Sequence, residues 1–357
     1  MGHAGDRPGQ GDLLVLLGTR DGLYRCRAGG AAPERHLGGL SINAVAADPR
    51  DGGLLVAANG PGGPAIWRSA DGGATWAPLA GRPRFGDGRQ AHQIWQVRPG
   101  HPSRPGELWA GTREAGLFRS PDLGATWRSV AGLNDHPTRT SWDEGGGGLI
   151  LHTIIVAPGD PDRLVVGISA GGAYSSDDDG ATWRPINSGV RPDTRPDHCA
   201  ASGQCPHRLA LHPARPGRLY QQGHAGVYRS DDYGEHWADI SAGLPSPFGW
   251  PLALHPDDPD TLFVVPHISD KQRRTTEGRL AVWRSRDAGA SWERLSRGLP
   301  LAPALCLRES LAADPAGDLY LGTADGRVFA GRDAGETWAL FAEGLPPVQA
   351  VATAFAP

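Results

Sequence analysis

The sequence predicts an all-β protein of seven repeated four-stranded sheets, and three observations lead to this prediction. A box of the form Ser-x-Asp-x-Gly-x-Thr-Trp occurs at residues 69–76 and returns five times with small changes. Strand-like segments precede and follow each box, which is therefore predicted to be a turn between strands. The six boxes end at Trp76, Trp127, Trp183, Trp237, Trp292 and Trp338. Their separations of 51, 56, 54, 55 and 46 residues suit four short strands plus loops, and so the blades of a β-propeller.

Each position of the box has a turn-forming role. The Ser hydroxyl and the Asp carboxylate can accept hydrogen bonds from the amides of the turn. The Gly adopts a backbone angle that a Cβ would disfavour. The Trp can bury a large apolar ring between neighbouring sheets. We therefore expect the box to connect the third and fourth strands of each blade.

A seventh blade is split between the two ends of the sequence. Residues 13–19 and 22–26 match the second and third strands of a blade, whereas residues 351–357 have the pattern of a first strand. Pairing of the two ends would close the ring and leave no free sheet edge. The prediction is one seven-bladed domain, residues 1–357, with a flexible tail at residues 1–11.

Composition excludes several classes of partner. The formal net charge is −4 and the basic residues form no dense run, so nucleic acid is not an expected partner. The apolar run at residues 13–17 is too short for a membrane span or a signal segment, which argues against a membrane partner and favours the cytoplasm. The 52 Gly and 32 Pro residues fall at repeat-spaced turns and indicate turns rather than disorder.

The boxes resemble the Asp-box (BNR) repeats of sialidase-like β-propellers, a superfamily that includes xyloglucanases and photosystem II assembly factors. The resemblance is greatest to bacterial BNR-like proteins labelled glycosyl hydrolase or exo-sialidase, and it implies a functional face opposite the boxes. Sialidases use a Tyr nucleophile and carry an Arg-Ile-Pro motif. Here all six Tyr residues occupy repeat positions and no Arg-Ile-Pro occurs, so sialidase activity is not expected.

The first strands can be aligned on the Pro residue that ends each of them. Six residues before that Pro lies the position expected at the top of the central channel, on the face away from the boxes. Around the ring this position is occupied by Asn43, Gln93, His152, His207, Trp250, Glu309 and Val351. Most of these side chains are polar, so the sequence predicts a polar upper channel.

Histidines are concentrated on the same face. The seven assigned to it are His92, His136, His152, His198, His207, His224 and His267. Imidazoles that converge with a carboxylate such as Glu309 suit a divalent transition metal, namely iron, copper or zinc. The predicted ligands are His152 and His207 with one or more of His92, His224, His267 and Glu309; the alternative is a channel filled with water.

A second group of possible ligands lies in residues 197–207, which contain Cys199, Cys205 and two His residues. The Cys-x5-Cys spacing leaves zinc binding, a disulfide and two idle thiols open. Four Cys in the whole chain are too few for a disulfide scaffold.

Long loops could enclose a ligand on the predicted functional face. They span residues 81–91, 131–148, 187–206 and 267–279. Trp142 and Trp250 are the two Trp residues that the repeat does not explain, and we expect them to stack on a sugar or another flat ligand. Together with Gln93, Asn43 and Arg308 they form the predicted substrate-binding set. The glycine-rich segment 142–148 has the composition of a lid.

Three functions follow from these features. The first is a metal-dependent enzyme acting on a small molecule. The second is a glycoside hydrolase whose carboxylates come from Asp143, Glu144, Asp197 and Glu309. The third is a non-catalytic binding or assembly propeller with a protein partner.

Overall fold

The computed structural model describes residues 13–29, 32–144, 146–192 and 201–356, and these form seven four-stranded antiparallel sheets. The first strand of each blade contacts the first strands of both neighbouring blades, so the sheets surround a central channel. The prediction of a seven-bladed β-propeller is confirmed. The tail at residues 1–11 lies outside the described residues.

The strands are numbered in chain order. Those of blades 1 and 2 are β1 (Leu13–Thr19), β2 (Gly22–Arg27), β3 (Glu34–His36), β4 (Ser41–Ala47), β5 (Leu54–Asn59), β6 (Ala65–Ser69) and β7 (Ala77–Pro78). Those of blades 3 and 4 are β8 (Ile94–Pro99), β9 (Leu108–Thr112), β10 (Leu117–Ser120), β11 (Arg128–Ser129), β12 (Leu151–Val156), β13 (Leu164–Ile168), β14 (Gly172–Ser176) and β15 (Arg184–Pro185).

Blades 5 to 7 follow the same order. Their strands are β16 (Pro206–Leu211), β17 (Leu219–Gly223), β18 (Val227–Ser230), β19 (Ala238–Asp239), β20 (Gly249–Leu254), β21 (Leu262–Pro266), β22 (Val282–Ser285), β23 (Glu293–Leu295), β24 (Leu311–Ala313), β25 (Leu319–Gly322), β26 (Val328–Arg332) and β27 (Thr337–Ala342). The last strand, β28 (Val348–Phe355), returns to blade 1.

Among the described residues, helical structure is confined to short loop segments. One α-helical turn, α1, spans Ala131–Asn134, and two 3-10 turns span Pro137–Ser141 and Thr276–Gly278. Within the described ranges, no helix has the length and apolar character that crossing a membrane would require.

The ring closes as the terminal sequences predict. Strand β28 pairs antiparallel with β1, with Leu17 opposite Val351 and Val15 opposite Thr353. All seven residues of β1 are buried. The C-terminal strand therefore covers an apolar edge that blade 1 would otherwise expose.

The boxes form the predicted turns between third and fourth strands. In the first box, Ser69 Oγ accepts hydrogen bonds from the amides of Asp71 and Gly73, and the Asp71 carboxylate accepts from the amide and hydroxyl of Thr75. Gly73 has φ of 81°. The residue before this Gly is also left-handed in every box, and outside the first it carries a side chain, as in Leu123 (φ 52°). The sequence pattern did not indicate this second left-handed position.

The hydrophobic core consists of layers between adjacent blades. One layer joins Phe263 and Val282 of blade 6 to Leu319, Phe329 and the box residue Trp338 of blade 7. Similar layers join the other neighbours, so each sheet buries both faces, as expected from their continuous apolar runs. This packing holds the seven first strands around the channel.

Candidate functional site

Most first strands begin with a β-bulge on the loop face of the propeller. The pairing register shifts by one residue at Asn43 in β4, at Trp95 in β8, at His152 in β12, at His207 in β16 and at Gln349 in β28. A bulge re-aims the extra side chain relative to the regular alternation of a strand. The bulges therefore decide which side chains reach the top of the channel.

Four of these bulge residues line a small cavity at the top of the channel. The cavity has a volume of about 60 Å³ and is lined by Asn43, Trp95, His152, Leu307, Arg308, Glu309 and Gln349. The prediction of a polar upper channel is thus correct in character. The volume of this cavity is far below the roughly 300–1,000 Å³ of typical small-molecule sites, so the cavity cannot enclose a sugar ring.

A charged cluster forms the floor of this cavity. Glu309 pairs with Arg208 through the Nη1 atom of the guanidinium, and its Oε2 lies 3.6 Å from Arg98 Nη2. Gln96 Nε2 lies 3.4 Å from Glu309 Oε1 and donates to the His152 carbonyl at 2.9 Å. Glu309 was predicted to be catalytic or a metal ligand. Its oxygens instead pair with two arginines, and these contacts occupy the atoms that a substrate or a metal would need.

A third arginine reaches the cavity from the segment before β24. Arg308 Nη2 donates to Ser169 Oγ at 3.0 Å, and its guanidinium lies over the Trp95 ring at 5.9 Å. Burial lowers the pKa of Arg98 to about 10, and burial together with the charge of Arg98 lowers that of Arg208 to about 9. The pKa of Arg308 is also lowered by burial. All three remain cations near neutral pH.

The predicted metal ligands do not converge. His152 Nε2 donates to the Pro206 carbonyl at 2.9 Å, and its Nδ1 lies 2.9 Å from Thr153 Oγ1. His267 donates through Nδ1 to the Val265 carbonyl and accepts from the Cys306 amide at Nε2. Both rings therefore use both nitrogens in protein contacts.

The other predicted ligands do not form a metal site either. His207 and His224 pack edge to face at 5.2 Å within an aromatic cluster that includes Phe248. His92 is 75% exposed and its Nδ1 lies 3.0 Å from Glu114 Oε1. No group of three or more His, Cys, Asp or Glu residues that could hold a metal occurs among the residues described above. Of the second predicted ligand group, His198 and Cys199 lie outside the described residues.

The two unexplained tryptophans do not offer stacking surfaces. Trp142 is 7% exposed, and its indole donates to the Tyr174 hydroxyl at 2.7 Å. Trp250 is also 7% exposed and stacks on His207 at 5.7 Å. Both are core residues. Because Trp142 begins the segment 142–148, its burial also argues against a lid that moves with this side chain. Gln93 accepts the Trp95 indole hydrogen bond at 3.1 Å instead of facing a ligand.

An open groove of about 650 Å³ lies on the loop face beside blade 3. One wall comes from the loop between blades 2 and 3, with Phe85, Asp87 and Arg89, and the other from the segment around α1, with Asp135 and Arg139. Asp87 is exposed, and the Arg89 amide that donates to it lowers the pKa of its carboxyl. The groove thus combines two carboxylates, two guanidiniums and an aromatic ring.

The second wall of the groove is held by the Asn134 side chain, which makes the hydrogen bonds that a neighbouring strand would make. Asn134 Oδ1 accepts from the Leu117 amide, and its Nδ2 donates to the Leu117 carbonyl, both at 2.8 Å. The amide thereby continues the pairing of β10 after the short strand β11 has ended. Arg139 Nη2 donates to the Glu114 carbonyl at 2.5 Å and its guanidinium lies over Trp142. This segment is therefore rigidly attached to blade 3.

The predicted loop carboxylates lie farther along the same segment. Asp143 and Glu144 are both exposed, and the Asp143 amide donates to the Ala170 carbonyl. Sequence reasoning missed Asp87, Asp135, Trp95, Arg98 and Arg208. Arg98 and Arg208 lie on first strands, but one and five residues before the Pro that ends the strand, and so outside the position predicted to face the channel.

The channel is wider on the box face than on the loop face. A cavity of about 680 Å³ extends from Glu309 to the ends of the first strands, and its walls include Arg98, Arg208, Ala210 and Ala253. Small side chains at these strand positions leave the lower channel open.

Comparisons with known proteins find similarity to a xyloglucanase in sequence and to several β-propellers in structure. No protein-family model matches the chain. A protein of Neosartorya fischeri described as a "probable oligoxyloglucan-reducing end-specific xyloglucanase" is 27% identical over 296 residues, which are 72% of this chain and 34% of that protein. The chain thus spans about one third of the length of this relative.

Solved structures support the fold. The GH74 xyloglucanase of Xanthomonas campestris superposes with a TM-score of 0.69 and 22% identity, over 93% of this chain and 53% of that one. The structure titled "YCF48 bound to D1 peptide" gives a TM-score of 0.56 and 17% identity, over 87% of this chain and 84% of that one. The chain is a seven-bladed β-propeller whose structural neighbours include GH74 xyloglucanases and YCF48.

Proposed function

We propose that this propeller is a glycoside hydrolase-like protein that binds an oligosaccharide in the groove beside blade 3. The observation that carries the proposal is the similarity to xyloglucanases in both sequence and structure. The described residues do not support a metal-dependent enzyme, because the predicted ligands do not form a metal site. Among the carboxylates predicted for hydrolysis, Glu309 is set aside because two arginines pair with it.

The groove supports the proposal through its size and its side chains. Its volume of about 650 Å³ falls in the range of ligand sites, and its open form suits an extended chain of sugars. Glycoside hydrolysis requires one carboxylate that stays ionised and one carboxylic acid that donates a proton. Asp87, whose pKa is lowered by the Arg89 amide, is assigned as the base or nucleophile. Asp135 on the opposite wall is assigned as the acid, because it is the second carboxyl group that lines the groove.

The test measures release of reducing ends from xyloglucan oligosaccharides. Asp87→Asn and Asp135→Asn should each lower the rate by about 100-fold or more, because each removes proton transfer or nucleophilic attack. Asp257→Asn, an exposed residue in the turn that follows β20 at the opposite end of the propeller, serves as the matched control. Asp143→Asn and Glu144→Gln test the loop carboxylates in the same assay. Rates unchanged by both groove substitutions would overturn the assignment of Asp87 and Asp135.

A second candidate is a non-catalytic binding propeller with a protein partner. It is supported by the structural similarity to YCF48, whose structure superposes over 87% of this chain. This function predicts no release of reducing ends from any xyloglucan oligosaccharide, while a pull-down recovers one dominant protein. Hydrolysis that depends on Asp87 or Asp135 would exclude it.

A further inference from the structure

The wide cavity on the box face has its own chemistry, separate from the groove. Its lower walls are formed by apolar side chains, among them Ala46, Ala210, Ala253 and Val351, with the hydroxyls of Thr153 and Thr353 between them. Its inner end is formed by Arg98, Arg208 and Glu309. A ligand that enters from the box face would therefore meet apolar walls first and charged groups last.

The inner end carries an excess of positive charge. Among the described residues that line the lower channel and the small cavity above it, Arg98, Arg208 and Arg308 face one carboxylate, that of Glu309. Histidine does not add to this charge, because burial and the nearby arginines lower the pKa of His152 well below its usual value. With three guanidiniums and one carboxylate, the cluster has a net charge of about +2.

Several donors of the cluster are unused. A guanidinium has five N–H groups, and within the described part of the chain the buried Nε atoms of Arg208 and Arg308 have no hydrogen-bond acceptor. The side chains of Arg98 and Arg208 are 27% and 18% exposed, and that exposure faces the channel. A buried donor without an acceptor is costly, and an anion bound to the exposed part of Arg208 would offset that cost by balancing the charge of its guanidinium.

We propose that the box-face channel binds a small organic anion, with its carboxylate or phosphate group on Arg98 and Arg208 and its apolar part along the alanine-lined wall. The cavity volume of about 680 Å³ accommodates such a molecule. Glu309 occupies part of the guanidinium surface and so limits the affinity. This site is distinct from the oligosaccharide groove, and its occupancy does not depend on hydrolysis.

The test is calorimetric titration of the purified full chain with hexanoate, hexyl phosphate and 1-hexanol. Both anions should bind at one site with a Kd of roughly 10 µM to 1 mM, whereas the alcohol, which has the same apolar part without the charge, should not. A carboxylate ligand predicts that hexanoate binds more tightly, and a phosphate ligand predicts the reverse. Higher salt should weaken both anions, because their attraction to the arginines is screened.

Variants expected to weaken anion binding and a variant expected to strengthen it separate this site from non-specific binding. Arg98→Gln and Arg208→Gln should each weaken anion binding about 10- to 100-fold, whereas Arg208→Lys, which keeps the charge, should weaken it less. Arg294→Gln, on blade 6 and paired with Glu277, is the control and should bind as wild type. Glu309→Gln should bind more tightly by about tenfold, because a competing carboxylate is removed.

Thermal unfolding provides a second readout if a variant is unstable. Anion should raise the Tm of Glu309→Gln more than that of the wild type, since ligand binding to the folded state adds stability. Two results would overturn the proposal. One is the absence of anion binding at concentrations up to about 10 mM. The other is binding that Arg98→Gln, Arg208→Gln and Arg294→Gln all leave unchanged.

Discussion

Glu309 before β24 and Arg208 of β16 form an ion pair inside the channel, although 100 residues separate them in the chain. The same carboxylate lies 3.6 Å from Arg98 of β8, so it joins blades 3, 5 and 7. The pairing divides the channel into a narrow upper cavity and a wide lower one.

Glu309→Gln should destabilise the protein by about 1–3 kcal/mol, because two largely buried guanidiniums lose their shared carboxylate. The change is measured by urea denaturation. Glu343→Gln, at an exposed position, should alter the free energy of unfolding by less than about 0.5 kcal/mol. Equal effects of the two substitutions would show that the ion pairs contribute nothing to stability.

Arg284 should contribute more to the stability of the fold than Arg286, although both arginines contact the same two glutamates. Its side chain is 1% exposed and pairs with Glu293 at 2.6 Å and with Glu336 of the next blade at 2.5 Å. Arg286 reaches the same two carboxylates at 3.3 Å but is 58% exposed. We expect Arg284→Ala to cost about 2–4 kcal/mol through lost hydrogen bonds and packing, and Arg286→Ala less than about 0.5 kcal/mol. Thermal and urea unfolding of both variants compare them directly.

Acidification should destabilise the fold through buried neutral histidines. Burial lowers the pKa of His267 to about 4, and protonation of its Nε2 would break the hydrogen bond from the Cys306 amide. Because the unfolded chain takes up this proton near pH 6.5, stability is complete above that pH and falls as the pH drops towards 4.

The loss attributable to His267 is about 3 kcal/mol across this window. Burial shifts the pKa of His152 and His207 in the same direction and adds to the slope. Urea unfolding measured from about pH 7 to pH 4.5 should therefore show falling stability, with a shallower slope in His267→Gln. Identical slopes for the two proteins would contradict the assignment of His267.

Removal of the last strand should open the ring. A chain ending at Pro347 lacks β28 and exposes the edge of β1, whose residues are all buried in the intact fold. We expect self-association in size-exclusion chromatography, because a free apolar strand edge pairs with other chains. A synthetic peptide of residues 348–357 should restore the monomer by adding the missing strand in trans. A truncated chain that stays monomeric with an unchanged Tm would contradict this role of β28.

The repeat explains why the fold was predictable. Each box carries its own turn chemistry, as the contacts of Ser69, Asp71 and Gly73 illustrate, so one local pattern specifies one hairpin. The ring closure was also predictable, because the C-terminal segment has the pattern of the first strand that the N-terminal segments of blade 1 lack. These features depend on interactions within a few residues or on a repeated order of strands.

The upper channel was predictable in polarity but not in arrangement. Asn43, His152 and Glu309 do line the small cavity, yet Trp95 and Gln349 reach it from other alignment positions. The bulges that insert these residues change the alternation of the strand, and no residue pattern at the strand starts indicated where each bulge would lie. The predicted histidine ligands do not form a metal site, because His152 and His267 use their ring nitrogens in contacts with the protein.

The sequence by itself determined the number of blades, the position of the turns and the joining of the two ends, because each is encoded in local, repeated chemistry. Only the tertiary structure decided that Arg98, Arg208 and Glu309 meet in the channel and that His207 and Trp142 are packed in the interior instead. Such contacts join residues of different blades, and their geometry depends on strand register and bulges across the whole ring.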